Sequence, residues 1–464
     1  MTRASDPLDF SRAQSIHIVG IGGAGMSAIA TVLAAMGHTV SGSDLKASPG
    51  LERLAAAGIV VHVGHDAAHL PADLAEVGIS TAIPDTNPEV VAAVERQVPV
   101  RRRAELLAAI CRQRRTVAVA GTHGKTTTSS MLALVLMQAG LHPSFIIGGD
   151  VNEIGTGAVW DTDGDLFVVE ADESDGTFLE LARHAAVVTN VEPDHLEHYG
   201  GWPALEAAFD RFVAETSGPV VLCADDAGAA ALAERHDART YGFAGGADVT
   251  GEVLEATGAG TRFAVRVDGA VLGEVHLPIA GMHNARNALG AVAAGLALGA
   301  PFDAAAEALG RFAGVARRFQ HRGVAGGVTF IDDYAHLPTE VRAAIAAARA
   351  GDWRRVVCVF QPHRYSRTAT LWQDFAGAFD DVDLLIVTDI YASGERPRPG
   401  ITGKLVLDAA LDAAPDLAAA WLPHRDDLVR YLAAQLRPGD LCLTLGAGDL
   451  TTLPDTVREL LGTA

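Results

Sequence analysis

Gly121-Thr122-His123-Gly124-Lys125-Thr126-Thr127 follows directly on the run Thr116-Val117-Ala118-Val119-Ala120. The order is a buried strand, a glycine turn and the start of a helix, with a lysine and hydroxyls at the turn. Backbone N–H groups at such a turn point outward, and the helix N-terminus adds positive potential. The lysine reaches terminal phosphates and the next hydroxyl can hold Mg²⁺. The stretch therefore reads as a nucleoside triphosphate site. It is not a strict Walker A loop, because Val119 stands where that pattern has its first glycine.

Around this loop the chain falls into three α/β series. The first opens with a strand at Ser15–Val19, runs into Gly20-Ile21-Gly22-Gly23-Ala24-Gly25-Met26, and alternates strands with helices to about Arg112. Such alternation implies a parallel sheet. The second starts at Thr116, with strands expected at Leu166–Glu170 and Ala186–Asn190. It continues through hairpin-like alternation over Val249–Leu277 and closes with a helix over Asn284–Leu298. The third starts near Arg317, with strands expected at Val328–Ile331, Val356–Phe360, Leu384–Val387 and Leu441–Leu445. The expected domains are residues 1–114, 115–315 and 316–464.

Composition narrows the function. A net charge of −21 argues against general nucleic-acid binding. Cys111, Cys223, Cys358 and Cys442 are far apart, without metal-ligand spacing, and read as reduced thiols of a cytosolic protein. Met1–Asp6 lacks an apolar leader core, and no apolar stretch reaches the roughly 20 residues that span a bilayer. Membrane insertion is not expected. Only three of the 36 cationic residues are lysine, and one of the three is Lys125 inside the phosphate loop. Arginine, with its larger planar head, does not replace it there.

The remaining motifs each have a bland and a chemical reading. Gly20-x-Gly22-x-x-Gly25, with Asp44 after the second strand, matches the dinucleotide fingerprint. Its physics is a pyrophosphate on a helix N-terminus, so NAD, a UDP-sugar or a structural turn all satisfy it. Glu170-Ala171-Asp172-Glu173-Ser174-Asp175 and Glu192-Pro193-Asp194-His195 end buried strands, where open α/β sheets face their ligands. Thr126, Glu170 and His195 together can hold Mg²⁺ with phosphate oxygens and water. Asn284 and Asn287 lie three apart on one helical face, suited to an adenine edge or, for Asn284, to an N-cap. Arg364 and Arg367 in Gln361-Pro362-His363-Arg364-Tyr365-Ser366-Arg367 follow a strand and suit a carboxylate or phosphate clamp.

Taken together, Gly20–Met26, Gly121–Thr127, Glu170–Asp175, Glu192–His195, His283–Asn287, Arg317–Phe319, Asp332–His336 and Pro362–Arg367 resemble the Mur ligase family of ATP-dependent peptidoglycan-precursor enzymes. The resemblance covers nearly the whole chain and points to the alanine-adding branch. It implies an N-terminal Rossmann-like domain for a UDP-sugar, a central P-loop-type ATPase with a mixed sheet, and a C-terminal Rossmann-like domain bringing the amino acid. The substrates would be UDP-N-acetylmuramate and L-alanine, with ATP and Mg²⁺.

By the same resemblance, Gly121, Thr122, His123, Gly124, Lys125, Thr126 and Thr127 would bind ATP. Asn284 and Asn287 would contact its adenosine, and Arg318 and Asp333 would join from the third domain. Thr126, Glu170 and His195 would hold the metal. Gly20, Gly22, Gly23, Gly25, Met26 and Asp44 would bind the UDP-sugar. Tyr334, His336, Arg364 and Arg367 would line the site for the sugar's carboxylate and the alanine. Lys125, Glu170, His195, Arg318, His336, Arg364 and Arg367 would be the catalytic set. Leu337 stands where the family usually has a second histidine. No lysine lies between Lys125 and Lys404, so a carbamylated-lysine metal ligand is excluded. The alternatives are a ligase attaching a recycled peptide to the same sugar nucleotide, an NAD-dependent dehydrogenase using Gly20–Gly25, and a regulatory ATP-binding protein.

Overall fold

The computed structural model describes residues 8–462; the leader reading of Met1–Asp6 lies outside the described residues. The N-terminal sheet has five parallel strands, β1 (Ser15–Val19), β2 (Thr39–Asp44), β3 (Val60–Val63), β4 (Glu76–Ile79) and β5 (Val100–Arg102), in the order β3-β2-β1-β4-β5. The strand order reverses between β1 and β4. In open parallel sheets that reversal leaves a crevice at the carboxyl ends of the strands. Gly20–Gly23 and the helix Ala24–Ala35 begin there, directly after β1. Val19, Val77, Ile79 and Val90 pack one core of this sheet.

The central sheet is mixed and has ten strands. They are β6 (Arg115–Ala120), β7 (Ser144–Val151), β8 (Thr156–Val159), β9 (Leu166–Glu170), β10 (Ala185–Val188), β11 (Val220–Cys223), β12 (Arg239–Gly242), β13 (Val249–Thr257), β14 (Gly260–Val267) and β15 (Ala270–Leu277). Their order is β15-β14-β13-β12-β11-β10-β6-β9-β7-β8, with β7 and β8 antiparallel. The position of β6 matters most. It lies between β9 and β10, with Val119 opposite Glu170 and Ala120 opposite Val188. The loop leaving β6 is therefore flanked by the strand ends that carry Glu170 on one side and Thr189–His195 on the other.

The C-terminal sheet contains β16 (Gln320–Ala325), β17 (Val328–Asp333), β18 (Arg355–Phe360), β19 (Leu384–Val387), β20 (Ala419–Trp421) and β21 (Asp440–Leu445), in the order β16-β17-β21-β18-β19-β20. All pairs are parallel except the edge pair β16–β17. Helices cover both faces. One core joins Val341, Phe360, Phe379 and Val406; the other joins Phe330, Val359, Leu432 and Val457. Asp333, Leu445 and Phe360 end their strands in register. The segments that follow them, including Tyr334–His336 and Gln361–Arg367, emerge at one end of the sheet.

By packing, the chain forms two compact units. The first holds residues up to Glu252 with Val265–Gly273 and Asn287–Leu309, and the second holds Val253–Ala264, Glu274–Arg286 and the chain from Gly310 on. The α/β class, the two Rossmann-like sheets and the mixed central sheet agree with the sequence reading. The hairpins read over Val249–Leu277 are β13, β14 and β15. The helix expected from Asn284 starts two residues earlier, at Met282, and ends at Ala297. Asn284 is thus inside the helix and not its N-cap. No helix among the described residues is long and apolar enough to cross a membrane.

One close approach in β2 controls where the glycine loop sits. A Cβ on Gly42 would come within 2.5 Å of the Ile18 carbonyl oxygen. Gly42→Ala forces β2 away from β1, at a cost of about 1–3 kcal/mol. Hydrogen exchange should show lost protection at Ser15–Val19 in that variant; wild-type protection contradicts this account of the strand pair.

Candidate active site

In the first unit the phosphate loop is fastened to the end of β10. Asn190 makes both bonds of a backbone mimic: its Oδ1 accepts from His123 N–H (2.7 Å) and its Nδ2 donates to the His123 carbonyl (3.0 Å). Thr189 Oγ1 also donates to that carbonyl (2.5 Å). Thr122 N–H donates to the Asn190 carbonyl (3.1 Å), and Glu192 N–H donates to Thr122 Oγ1 (2.9 Å). His123 Nε2 pairs with Glu192 Oε2 at 3.2 Å. Two glycines permit this docking. Gly121 has φ +132°, and a Cβ on it would run into Thr189 Oγ1. Gly124 has φ +78°, and a Cβ there would run into the Asn287 amide. These are left-handed backbone positions that side chains disfavour.

Lys125 opens the helix Lys125–Gln138, so its ammonium is delivered from a fixed turn. It donates to the Gly121 carbonyl (2.7 Å) and to Glu173 Oε2 (2.9 Å). Burial opposes its charge, but Glu173, Asp172 and Glu170 outweigh burial and hold the ammonium above its ordinary value. Glu173 is itself buried and is braced by Tyr199, whose hydroxyl donates to the Glu173 carbonyl (2.5 Å).

Thr126 and Glu170 meet directly: Thr126 Oγ1 donates to the Glu170 carboxylate at 3.0 Å. Gly148 N–H fixes the same carboxylate from β7 at 2.8 Å. A hydroxyl and a carboxylate so placed are hard oxygen donors of the type Mg²⁺ takes. His195 has a left-handed backbone (φ 54°), and its Nε2 pairs with Asp194 at 3.1 Å. Asn284 donates its amide to the Ala280 carbonyl (2.7 Å).

The glycine loop of the first sheet closes on β2. Gly20 and Ile21 N–H donate to the Ser43 carbonyl (2.8 and 3.0 Å), and Gly22 N–H donates to Asp44 Oδ2 (2.9 Å). Asp44 is therefore part of the loop's own framework. A cavity of about 730 Å³ starts at Gly23, Gly25 and Met26 and reaches Gly148, Glu170 and Asp172. It joins the first glycine loop to the carboxylates beside the second.

In the second unit, two guanidinium groups lie over the Tyr334 ring, Arg317 at 4.8 Å and Arg318 at 4.9 Å from its centre. Such stacking holds a guanidinium in place without neutralising it. Asp333 accepts from Phe319 N–H (2.6 Å) and Ala335 N–H (2.7 Å), which shapes the Arg317–Phe319 turn. Burial pushes its carboxyl up to about 6, against the opposing pull of Arg318 and the two N–H groups. The rings of His336 and His363 meet edge-on at 5.4 Å. Arg367 donates to His363 Nδ1 (3.1 Å). Burial, then His336, Arg367, Arg364 and Arg317, push His363 down to about 3, so its ring is neutral. Leu337 is buried at the N-cap position of the helix Pro338–Arg349, where its N–H donates to Glu340 Oε2 (3.1 Å). Arg317, Phe319 and Arg364 all have positive φ. Non-glycine residues in this region cost of order 1–3 kcal/mol each and cluster at functional sites.

The predicted residues thus form local groups. Lys125, Thr126 and Glu170 share one neighbourhood, as do Gly20–Met26 and Asp44, and as do Arg318, Asp333, Tyr334 and His336. Sequence reasoning missed Asn190, Thr189, Glu192, Glu173, Tyr199, Arg317 and His363 as working parts. Glu173 had a legible signal, because the one lysine of the central region must find a carboxylate. Asn190 had none, since an amide after a strand does not announce which backbone it bridges.

Three family models match in succession: Mur ligase family, catalytic domain, over residues 15–115; Mur ligase middle domain over 119–295; and Mur ligase, glutamate ligase domain over 317–448. A UDP-N-acetylmuramate–L-alanine ligase of Acidothermus cellulolyticus is 48% identical over 98% of this chain and 97% of its own. One from Myxococcus xanthus is 45% identical over 100% of this chain and 99% of its own. Among solved structures, the UDP-N-acetylmuramate-alanine ligase from Thermotoga maritima superposes with a TM-score of 0.81 at 31% identity, covering 96% of this chain and 99% of that one. A murein peptide ligase from Psychrobacter arcticus gives 0.69 at 25% identity, covering 97% and 99%. The chain belongs to the Mur ligase family, a family of ATP-dependent ligases.

Two outcomes test this geometry. Asn190→Ala removes two hydrogen bonds worth about 1 kcal/mol each. It should lower kcat/KM for ATP about ten- to thirtyfold; an unchanged value contradicts the docking role. For Asp333, the folded value of about 6 lies above the ordinary 3.8. The folded chain then holds more protons than the unfolded chain between those values, so this group's contribution to stability falls as pH rises through that window. Denaturant midpoints of wild type and Asp333→Asn should diverge across it, and parallel profiles contradict the assignment.

Proposed function

We propose that the chain joins the amino group of L-alanine to the lactyl carboxylate of UDP-N-acetylmuramate, converting ATP to ADP and phosphate. The observation that carries this is the single cavity running from the N-terminal glycine loop to Glu170 and Asp172 beside the phosphate loop. It suits a substrate held by its diphosphate at one end and presenting a carboxylate at the other. Relatives 44–48% identical over nearly the full chain bear the alanine-ligase name, which supports alanine over a recycled peptide. Dehydrogenase chemistry leaves the Gly121–Thr127 loop without a use.

The chemistry follows from the acceptor. A carboxylate resists amines because its leaving group would be oxide. A carboxylate oxygen attacks the γ-phosphorus and ADP leaves, giving an acyl phosphate. The neutral alanine amine then attacks the acyl carbon, the tetrahedral species loses phosphate, and the nitrogen releases a proton. The protein's work is positioning and charge neutralisation. Lys125 exchanges Glu173 for the β- and γ-phosphate oxygens. The loop N–H groups from Gly121 to Thr127 receive the phosphates, and Asn284 and Asn287 contact adenosine.

Thr126, Glu170 and His195 hold Mg²⁺ in this reading; bound there, the ion offsets phosphate charge. Gly20–Met26 with Asp44 take the UDP-sugar. Arg318, His336, Arg364 and Arg367, with Asp333 and Tyr334 shaping their surroundings, serve the carboxylate, the phosphoryl group and the alanine. Domains at 1–114, 115–315 and 316–464 divide these tasks, and a cytoplasmic location fits precursor synthesis from soluble substrates.

ADP release with ATP, Mg²⁺ and UDP-N-acetylmuramate across a panel of amino acids and peptides tests the proposal. L-alanine should drive release. Release with the tripeptide but not alanine selects the recycling reaction, and ATP binding without any acceptor-dependent release leaves only a regulatory role. Lys125→Ala should lower kcat by roughly 10²–10³-fold, as loss of one preorganised donor does. Near-wild-type turnover contradicts the catalytic assignment of the loop.

A further inference from the structure

The segment that carries Arg364 and Arg367 is held by the loop that follows β19. Tyr391 N–H donates to the Pro362 carbonyl, and the Tyr391 carbonyl accepts from Arg364 N–H, both at 2.9 Å. The Tyr391 ring stacks on His363, with centroids 5.8 Å apart. Gly448 makes room for that ring, since a Cβ there would come within 2.5 Å of Tyr391 Cγ. Ser393 and Gly394 then turn through left-handed backbone, with φ 48° and 85°, and the chain returns to the segment at Glu395. Glu395 Oε2 accepts from Ser366 N–H (2.9 Å), and its Oε1 accepts from the Ser366 hydroxyl.

These bonds replace a cap that the helix lacks. Arg364 is the N-cap of the helix Tyr365–Leu371, yet its side chain accepts no bond from the first turn. Those N–H groups need an acceptor, and the N-cap side chain ordinarily provides it. Here Glu395 provides it from the far side of β19. Arg364 also has φ 67°, a backbone conformation that persists only where its surroundings hold it. Tyr391 holds its N–H, while Thr368 N–H (3.1 Å) and the Thr368 hydroxyl (2.9 Å) donate to its carbonyl. Burial opposes the charge of Glu395, but Ser366, Arg364 and Arg398 outweigh burial and hold its carboxyl below the ordinary value. The hydrogen bonds of that carboxylate go to Ser366 and not to Arg364, whose Nε is buried without a partner among the described residues.

We propose that Glu395 is a positioning residue for the arginine clamp. By fixing Ser366 it sets where the helix starts, and with it where Arg364 and Arg367 present their guanidinium groups to a substrate carboxylate. This rests on the reading of those two arginines as the clamp.

Steady-state kinetics of the full-length chain with ATP, UDP-N-acetylmuramate and L-alanine tests it. Glu395→Ala should raise the KM for whichever carboxylate substrate the clamp holds about 10- to 100-fold, the scale of a misplaced binding group, and leave the KM for ATP within about twofold. Glu395→Gln can still accept from Ser366 N–H and donate to its hydroxyl, so it should restore the raised KM to within about threefold of wild type. A merely structural loss lowers the active fraction, and so kcat, with every KM as in wild type. That result, or a Gln variant as impaired as the Ala variant, overturns the positioning role. Ser366→Ala removes only the hydroxyl and should raise the same KM about three- to tenfold. It decides the matter if Glu395→Ala does not fold, and an unchanged KM there overturns the proposal. Arg364→Met with wild-type KM for both carboxylate substrates overturns the reading of the clamp itself.

Discussion

The docking of the phosphate loop on the end of β10 is the constraint on which the rest depends. One amide side chain, Asn190, satisfies both the N–H and the carbonyl of His123. With Thr122 and Thr189 it converts a flexible glycine turn into an extension of the sheet. That fixes where the helix Lys125–Gln138 starts and hence where Lys125 and Thr126 point. Because β6 runs between β9 and β10, the same placement brings Thr126 to Glu170 and Lys125 to Glu173. The site is thus assembled by strand order first and by side-chain bonds second.

Charge is handled by substitution. The chain is strongly acidic, yet it gathers an ammonium and several guanidinium groups where anionic substrates are expected. Lys125 is held by Glu173 and two neighbouring carboxylates, so a lysine that must stay charged does not face burial alone. Around Tyr334, two arginines are stacked on the ring, which positions them while leaving their charge intact. His363 stays neutral because burial and the surrounding cations disfavour its protonation.

Much of this was legible in the sequence, and the reason is periodicity. Strands such as Ser15–Val19 and Leu384–Val387 appear where the apolar runs and glycine turns put them. The glycine loops marked the ends of β1 and β6 because only glycine tolerates those turns. The remainder was illegible because it depends on pairing across long separations. Thr126 and Glu170 could be grouped from their places at strand ends, and they do meet, but the strand order that makes them neighbours is encoded by no local pattern. Asn190 and Tyr199 look like ordinary polar residues until the fold shows what each one faces. Asn284 shows the opposite error: an N-cap residue type placed inside a helix, where its amide bonds back to Ala280.

The central claim is that the two glycine loops serve one reaction, in which phosphate from one substrate activates a carboxylate of the other. Oxygen transfer tests this directly. UDP-N-acetylmuramate labelled with ¹⁸O in its lactyl carboxylate, turned over with ATP and L-alanine, should yield phosphate carrying one labelled oxygen per molecule released. Unlabelled phosphate formed alongside the amide product would contradict the account.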